Sequence, residues 1–344
     1  MNLRISFKAF QLPLQHSFTT SRYTVTVQNT VIVSITNGDF TGYGEATVNP
    51  YYNSTVERLQ TSIESVKAII ENANDILPEK LWQLLEPKLK EDYFALCAID
   101  CAFWDFYAKL KSRTIRSFWS DDIMYMPQSN FTIGIDAIEK MKQKILETPW
   151  PIYKIKLGTE HDVAIVSELR KITNAIFRID ANCAWTVEET IQNAIQLKEL
   201  GVEFIEQPLK ADDWEGMKHL KKECVLPLIA DESCQRLEDV EPCAKVFHGI
   251  NIKLMKCGGL TPALKMIKKA RQLNLKVMAG CMTESSIGIS SLVQIAPLLD
   301  YIDADGAMLL KEDFAEGVKL VDGNIIFSSK NGSGVEYKSF DKVE

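Results

Sequence analysis

The sequence predicts an α/β fold: a (β/α)8-type barrel at residues 119–310, with an α+β capping domain built from residues 1–118 and 311–344. Before residue 119, strand-like runs are followed by a block of helices. After it, eight short apolar runs alternate with amphipathic helices, and each run except the last is clearly followed by one, which is typical of a closed parallel barrel. An open doubly wound sheet is the alternative, but it usually brings a G-x-G-x-x-G turn, which this sequence lacks.

The N-terminal elements are predicted from local patterns. Residues 3–7 alternate apolar and polar side chains, which indicates a strand. Asn37-Gly38 between two strand-like runs predicts a β-hairpin with a type I′ turn. Residues 54–57 have the pattern of a capping box, and the apolar face behind them predicts a helix. Two more helices are expected, one after Pro78 and one around residues 94–108.

The barrel and the tail follow from the same reasoning. The eight predicted strands are residues 131–135, 153–157, 177–181, 204–206, 228–231, 250–254, 276–279 and 301–304. Helix starts are indicated by a capping box at Thr186 and by Thr261-Pro262, taken as an N-cap followed by proline at N1. Asp322-Gly323 predicts a second hairpin, which we expect to return to the N-terminal domain.

Composition narrows the class of protein. The chain has 344 residues and a net charge of −7, which argues against binding to nucleic acid or to an anionic membrane surface. We find no signal peptide and no apolar run long enough to span a bilayer. None of the eight cysteines forms a C-x-x-C pair. These features together favour a cytoplasmic enzyme with reduced thiols.

Acidic residues recur where predicted barrel strands end. Asp180, Glu206 and Asp231 end three neighbouring strands, and active sites of such barrels gather at that end. Neighbouring strands lie about 5 Å apart, so the three carboxylates are expected to converge and to repel one another unless a cation joins them. Hard oxygen ligands of this kind suit Mg²⁺.

Lysines complete the pattern. Lys154 and Lys156 point to the same side of the second predicted strand, and Lys253 lies on the sixth, across the barrel mouth. A neighbouring cation lowers the pKa of a lysine, which can then act as a general base near neutral pH. Two such bases facing one carbon could remove a proton from one side and return it on the other.

Taken together, these motifs resemble the enolase superfamily, in its muconate-lactonizing-enzyme subgroup. The resemblance covers nearly the whole chain and implies a modified TIM barrel under a capping domain. Its motifs are Lys154-x-Lys156, Asp180-Ala-Asn182, Glu206-Gln-Pro208, Asp231-Glu-Ser233, the run from Asn251 to Gly259, and the run from Ala98 to Asp105. It implies Asp180, Glu206 and Asp231 as Mg²⁺ ligands, Lys156 and Lys253 as the two bases, and Lys154 as the residue that tunes Lys156.

Within that subgroup, residues 280–286 and 303–306 resemble the dipeptide epimerases. The resemblance implies a Mg²⁺-dependent 1,1-proton transfer on a small dipeptide such as L-Ala-D/L-Glu, and suggests a place in murein peptide metabolism. Asp303-x-Asp305 would hold the substrate ammonium group, and Arg22, in a loop that begins at Phe18, would pair with an acidic side chain. The further substrate-binding residues expected are Thr132, Asn182, Met282 and Glu284.

Several alternatives stay open at this point. They are an epimerase of other, hydrophobic dipeptides; o-succinylbenzoate synthase; a Schiff-base lysine aldolase; and an inactive binding or scaffold protein. The pair Asp303 and Asp305 speaks against the synthase, because an anionic substrate gains nothing from two acids. Homo-oligomer formation is left open.

Overall fold

The computed structural model describes residues 3–73, 75–120 and 125–338. It opens with an antiparallel sheet in the order β1-β2-β3. The strands are β1 (Arg4–Thr19), β2 (Thr24–Thr36) and β3 (Thr41–Thr47). The loop between β1 and β2, which contains Arg22, extends toward the barrel.

The first hairpin differs from its prediction. Thr36 pairs with Thr41, so residues 37–40 form a four-residue loop rather than a two-residue type I′ turn. The Asn37 side chain is the reason, because its Oδ1 accepts hydrogen bonds from the backbone N–H groups of Asp39 and Phe40.

Three helices follow this sheet, namely α1 (Val56–Glu71), α2 (Pro78–Leu89) and α3 (Tyr93–Leu110). Helices α1 and α3 pack on the sheet, and α2 packs against α3. The predicted capping box at residues 54–57 is wrong in detail. Thr55 is the N-cap of α1 and accepts from Arg58 N, whereas the Ser54 hydroxyl donates to Thr47 O. Helix α3 is buried on nearly every face, because it lies between the sheet and the barrel.

The barrel has eight parallel strands in sequence order. They are β4 (Phe131–Ile133), β5 (Ile152–Lys156), β6 (Ile176–Asp180), β7 (Val202–Glu206), β8 (Leu228–Ala230), β9 (Gly249–Ile252), β10 (Lys276–Gly280) and β11 (Tyr301–Asp303). A parallel bridge between Ser129 and Ile302 joins the first strand region to the last. The predicted barrel is therefore confirmed.

Helices follow the first seven strands, and a 3-10 helix at Gly306–Leu309 follows the eighth. They are α4 (Ile138–Glu147), α5 (Asp162–Arg170), α6 (Val187–Glu199), α7 (Trp214–Glu223), α8 (Val240–Val246), α9 (Leu254–Cys257), α10 (Leu260–Gln272) and α11 (Ser286–Leu292). The capping box at Thr186 is present on α6.

Two predicted boundaries near α9 and α10 are wrong. The sixth barrel strand ends at Ile252, so Lys253 is the N-cap of α9 rather than a strand residue. Helix α10 begins at Leu260 after Gly259, so Thr261 is not its N-cap. Thr261 lies inside the helix because Asp100 of α3 accepts hydrogen bonds from its backbone N–H and its hydroxyl.

The second hairpin contacts the barrel rather than the N-terminal domain, because the Ser129 backbone N–H donates to the Gly323 carbonyl and Gln128 Nε2 donates to the Asp322 carbonyl. The rest of the described tail packs against the N-terminal sheet, with Phe314 stacked on Phe10 and Tyr337 on Tyr43.

The described tail contains β12 (Ala315–Glu316), β13 (Lys319–Val321), β14 (Asn324–Ile326) and β15 (Glu336–Tyr337). The β13–β14 turn has the predicted two residues, Asp322 and Gly323, both with positive φ. Residues 339–344 of the predicted tail, and residues 121–124 of the predicted barrel, lie outside the described residues.

Over residues 3–73, 75–120 and 125–338, no helix has the length and apolar character needed to cross a lipid bilayer.

Candidate active site

Three carboxylates meet at the C-terminal end of the barrel strands. Asp180 ends β6, Glu206 ends β7 beside it in register, and Asp231 directly follows β8. One oxygen from each lies within 4.8 Å of the others, and all three side chains are buried. The convergence expected from strand register is therefore present.

Lysine ammonium groups surround these acids. Lys154 Nζ lies 2.8 Å from Glu206 Oε2, 3.0 Å from Asp303 Oδ2 and 3.1 Å from Asp180 Oδ2. Lys156 Nζ lies 2.6 Å from the same Asp180 oxygen. Because Lys154 and Lys156 share one oxygen atom, the position and charge of one affect the other.

Lys253 approaches from the other side of the barrel. It follows β9, four strands away from β5, and its Nζ lies 2.7 Å from Asp231 Oδ2. The side chains of Lys156 and Lys253 both line the same cavity. The two lysines therefore approach one cavity from strands on opposite sides of the barrel.

Two residues without a predicted role also hold these acids. Lys256 Nζ donates to Asp231 Oδ1 at 2.6 Å and to the Cys234 carbonyl at 2.9 Å, and its side chain is buried. Asn251 Nδ2 donates to Glu206 Oε1 at 2.7 Å. Helix α9 was not predicted from the sequence. With that helix, the three-residue spacing of Lys253 and Lys256 would have placed both lysines on the same side of it.

The pKa shifts of the acids show how charge is distributed. Burial raises the pKa of Asp180, but the charges of Lys156 and Lys154 together lower it by more, so the net shift is downward. Asp231 behaves likewise, with Lys253 and Lys256 lowering its pKa. Burial and then the Asp180 charge raise the pKa of Glu206 to about 7. The lysines therefore do not fully relieve the repulsion among the three acids.

The lysine shifts differ from the sequence expectation. Burial is the largest single effect and lowers the pKa of Lys253, but the neighbouring carboxylates, with Asp231 foremost, together raise it more, so the net shift is upward. The pKa of Lys154 is also raised, against burial, by Asp303, Glu206 and Asp180. The expectation of lowered lysine pKa values assumed a metal cation bound to the carboxylates. Here the carboxylates contact the amines of these two lysines directly and raise their pKa values instead.

Two more acidic residues, Asp303 and Asp305, lie at the end of β11. Asp303 accepts a hydrogen bond from Asn130 Nδ2 at 2.7 Å, in addition to its contact with Lys154. Asp305 Oδ2 accepts from the backbone N–H of Thr132 at 2.5 Å. Burial and the neighbouring Asp303 raise the pKa of Asp305 well above its usual range. A cationic group beside Asp305 would relieve this repulsion.

The predicted substrate-binding residues divide into two groups. One cavity is lined by Arg22, Thr132, Lys154, Asn182, Met282, Asp303 and Asp305, together with Lys156 and Lys253. Glu284 does not line it, because its Oε1 turns back to accept from Met282 N at 2.8 Å. Burial and Glu45 raise the pKa of Glu284 to about 8.

The capping domain closes the cavity. Besides Arg22, it contributes side chains that sequence reasoning did not assign, namely Thr20, Tyr23, Val25, Gln28, Thr47, Asn49 and Tyr52. They were missed because they lie on strands and loops far from the barrel in sequence, and only the packing of the two units brings them to the cavity.

Comparison with known families matches both parts of the chain. Residues 4–117 match the family described as mandelate racemase / muconate lactonizing enzyme, N-terminal domain. Residues 136–341 match the family described as enolase C-terminal domain-like. Together the two matches cover most of the sequence.

Individual relatives are similar over almost their whole length. An L-Ala-D/L-amino acid epimerase of Flavobacterium johnsoniae is 51% identical over 333 residues, which is 97% of this chain and 99% of that protein. One from a Maribacter species is 55% identical, with the same coverage. The crystal structure of a dipeptide epimerase from Enterococcus faecalis, complexed with Mg and L-Leu-L-Tyr, has a TM-score of 0.92 at 27% identity and covers 98% of this chain and 100% of its own.

Proposed function

Because the chain belongs to the enolase superfamily, we propose that it is a Mg²⁺-dependent dipeptide epimerase that inverts the α-carbon of the C-terminal residue. The observation that carries this proposal is the placement of Lys156 and Lys253, four strands apart around one cavity, each beside a buried carboxylate. Its substrates are L-Ala dipeptides, with L-Ala-D/L-Glu among them.

Asp180, Glu206 and Asp231 would hold the cation. Their oxygens converge within 4.8 Å. The pKa of Glu206 is raised by burial and by the charges of Asp180 and Asp231, and a divalent cation would offset that repulsion. Carboxylate oxygens are also the ligands that Mg²⁺ prefers. When bound, the cation stabilises the negative charge that the substrate carboxylate gains as the α-proton leaves.

The two lysines transfer the proton. Nζ of one lysine removes the α-proton from one face, and the ammonium group of the other delivers a proton to the opposite face. The roles exchange for the reverse reaction. Lys154 keeps Lys156 in place and tunes it, because both amines contact the same oxygen of Asp180.

The far end of the substrate is an ammonium group. Asp303 and Asp305 form the acidic pair that would receive it, with Asn130 and Thr132 fixing the two carboxylates. This arrangement favours a dipeptide over the anionic substrate of o-succinylbenzoate synthase. Asn182 and Met282 line the cavity between the two ends.

Deuterium incorporation from solvent tests the proposal. In D₂O with Mg²⁺, an L-Ala-L-amino acid dipeptide should gain deuterium at the α-carbon of its second residue as the D-epimer accumulates. Lys156→Ala and Lys253→Ala should abolish epimerisation, and each should retain exchange on one face only. Lys276→Ala is the matched control, since Lys276 pairs with Asp300 at the N-terminal end of the barrel strands. Absence of exchange with every dipeptide tried would refute the proposal.

Cellular setting belongs to the same proposal. All eight cysteines are free, which is typical of the reducing cytoplasm, and we place the enzyme there. A role in murein peptide metabolism rests on the resemblance to epimerases of L-Ala-D/L-Glu. The net charge of −7 does not favour a nucleic-acid or anionic membrane partner.

A further inference from the structure

Arg22 is held by a buried acid next to the carboxylate set. Its guanidinium Nη2 lies 2.6 Å from Glu232 Oε1, and the Glu232 side chain is fully buried. The Arg22 guanidinium also stacks on the Tyr51 ring, 4.2 Å from its centroid. Arg22 is therefore not free to pair with another anion unless it leaves Glu232 or shares its donors.

The loop that carries Arg22 lies over one particular side of the cavity. The Ser21 hydroxyl donates to the carbonyl of Asn182, which follows β6, and Glu232 directly follows Asp231 at the end of β8. Arg22 is thus on the side of the three carboxylates, whereas Asp303 and Asp305 lie at β11. In the proposed reaction, the substrate carboxylate and the side chain of its second residue occupy the Arg22 side.

Glu232 occupies the Arg22 guanidinium beside that position. Its Oε1 takes both the Arg22 contact and a 3.4 Å hydrogen bond from Asn182 Nδ2. Its Oε2 is buried and has no hydrogen-bond partner among the described residues. An acidic substrate side chain that approaches Arg22 therefore competes with Glu232 for the guanidinium.

We propose that Glu232 is a specificity-determining residue, which lowers the preference of the enzyme for an acidic second residue by occupying Arg22. This inference rests on the proposed epimerase function and extends it to the choice of dipeptide. Neutral second side chains need no cation from Arg22, so their turnover depends little on the charge of Glu232.

The test compares two substrates of nearly equal shape, L-Ala-L-Glu and L-Ala-L-Gln. The measured quantity is kcat/KM for L-Ala-L-Glu divided by kcat/KM for L-Ala-L-Gln. The variant Glu232→Gln should raise this ratio about tenfold, which corresponds to about 1.4 kcal/mol. Arg22→Met should lower the same ratio by a similar factor, and Arg22→Lys should restore part of it. Glu203→Gln is the control, because Glu203 also pairs with an arginine, Arg178, at the other end of the barrel.

The ratio separates specificity from structure. If Glu232→Gln reduces both activities equally and leaves the ratio unchanged, the pair only anchors the loop and the inference is wrong. If Arg22→Met leaves the ratio unchanged, Arg22 does not face the second side chain, which also overturns it. A wild-type enzyme that shows no deuterium exchange with either dipeptide would instead fail the proposed function, and this inference with it.

Discussion

Lys256 holds the Asp231 carboxylate through the oxygen that Lys253 does not contact. Its ammonium group is buried and bonded to Asp231 Oδ1 and to the carbonyls of Cys234 and Asn251. It does not line the cavity, so it serves as a fixed counter-charge rather than as a base. Residues of this kind are hard to predict from sequence, because their role depends on the reach of a side chain across a helix that is only one turn long.

Replacement of Lys256 should destabilise the fold. Lys256→Met leaves a buried carboxylate with one cation fewer and several carbonyls without a donor, which we expect to cost about 3 kcal/mol or more. Lys269→Met is the control, since Lys269 forms an exposed pair with Glu241 whose loss should cost less than about 1 kcal/mol. Urea unfolding measures both, and equal midpoints for the two variants would contradict the assigned role.

At the scale of elements, the order of the strands and the placement of acids at their C-terminal ends are better predicted than two of the helix starts. The three acids at the ends of β6, β7 and β8 are where strand alternation places them. The starts of α1 and α10 are shifted, because Ser54 and Thr261 form tertiary hydrogen bonds instead of capping their helices. A local motif cannot report a competing partner that is distant in sequence.

The contact between α3 and α10 predicts a pH dependence of stability. Burial raises the pKa of Asp100 to about 7 from an ordinary value of 3.8, although Thr261 donates to both of its oxygens. The folded state then binds a proton that the unfolded state has released, so Asp100 makes the free energy of unfolding fall as pH rises from about 4 to 7.

Asp100→Asn should remove that part of the slope. Its amide can accept from the Thr261 backbone N–H and donate to the Thr261 hydroxyl oxygen, so the geometry is retained while the titrating group is lost. Urea unfolding at several pH values between 4 and 7 should give a flatter profile for the variant than for the wild type. Parallel profiles would show that Asp100 does not titrate in this range.

Across the whole molecule, the capping domain and barrel are joined by buried polar contacts. Glu45 of β3 accepts hydrogen bonds from the backbone N–H groups of Ser285 and Gly288 at the start of α11. Ser285 directly follows the loop that contains Met282, and Met282 lines the cavity. The two units and the closure of the cavity could be expected from sequence, but not these partners. The domain limits at 118/119 and 310/311 stay a prediction.

The tail also helps to join the capping domain to the barrel, through apolar contacts. Phe314 is almost fully buried, stacks on Phe10 of β1 with ring centroids 4.7 Å apart, and packs in one cluster with Leu12 and with Ile287 of α11. One apolar cluster thus contains residues of the tail, the N-terminal sheet and the barrel. Removal of a buried phenylalanine leaves a cavity in addition to the lost burial, and typically costs about 3–5 kcal/mol.

Phe314→Ala is therefore expected to lower the free energy of unfolding by about that amount. Val321→Ala, in the β13–β14 hairpin of the same tail, is the control, because Val321 is 51% exposed and its truncation should change stability by about 0.5 kcal/mol or less. Urea titration followed by circular dichroism measures both changes. If Phe314→Ala unfolds at the wild-type midpoint, the tail does not stabilise the union of sheet and barrel. A large loss restricted to Phe314→Ala would show that this short segment helps to hold the capping domain, and with it Arg22, over the cavity.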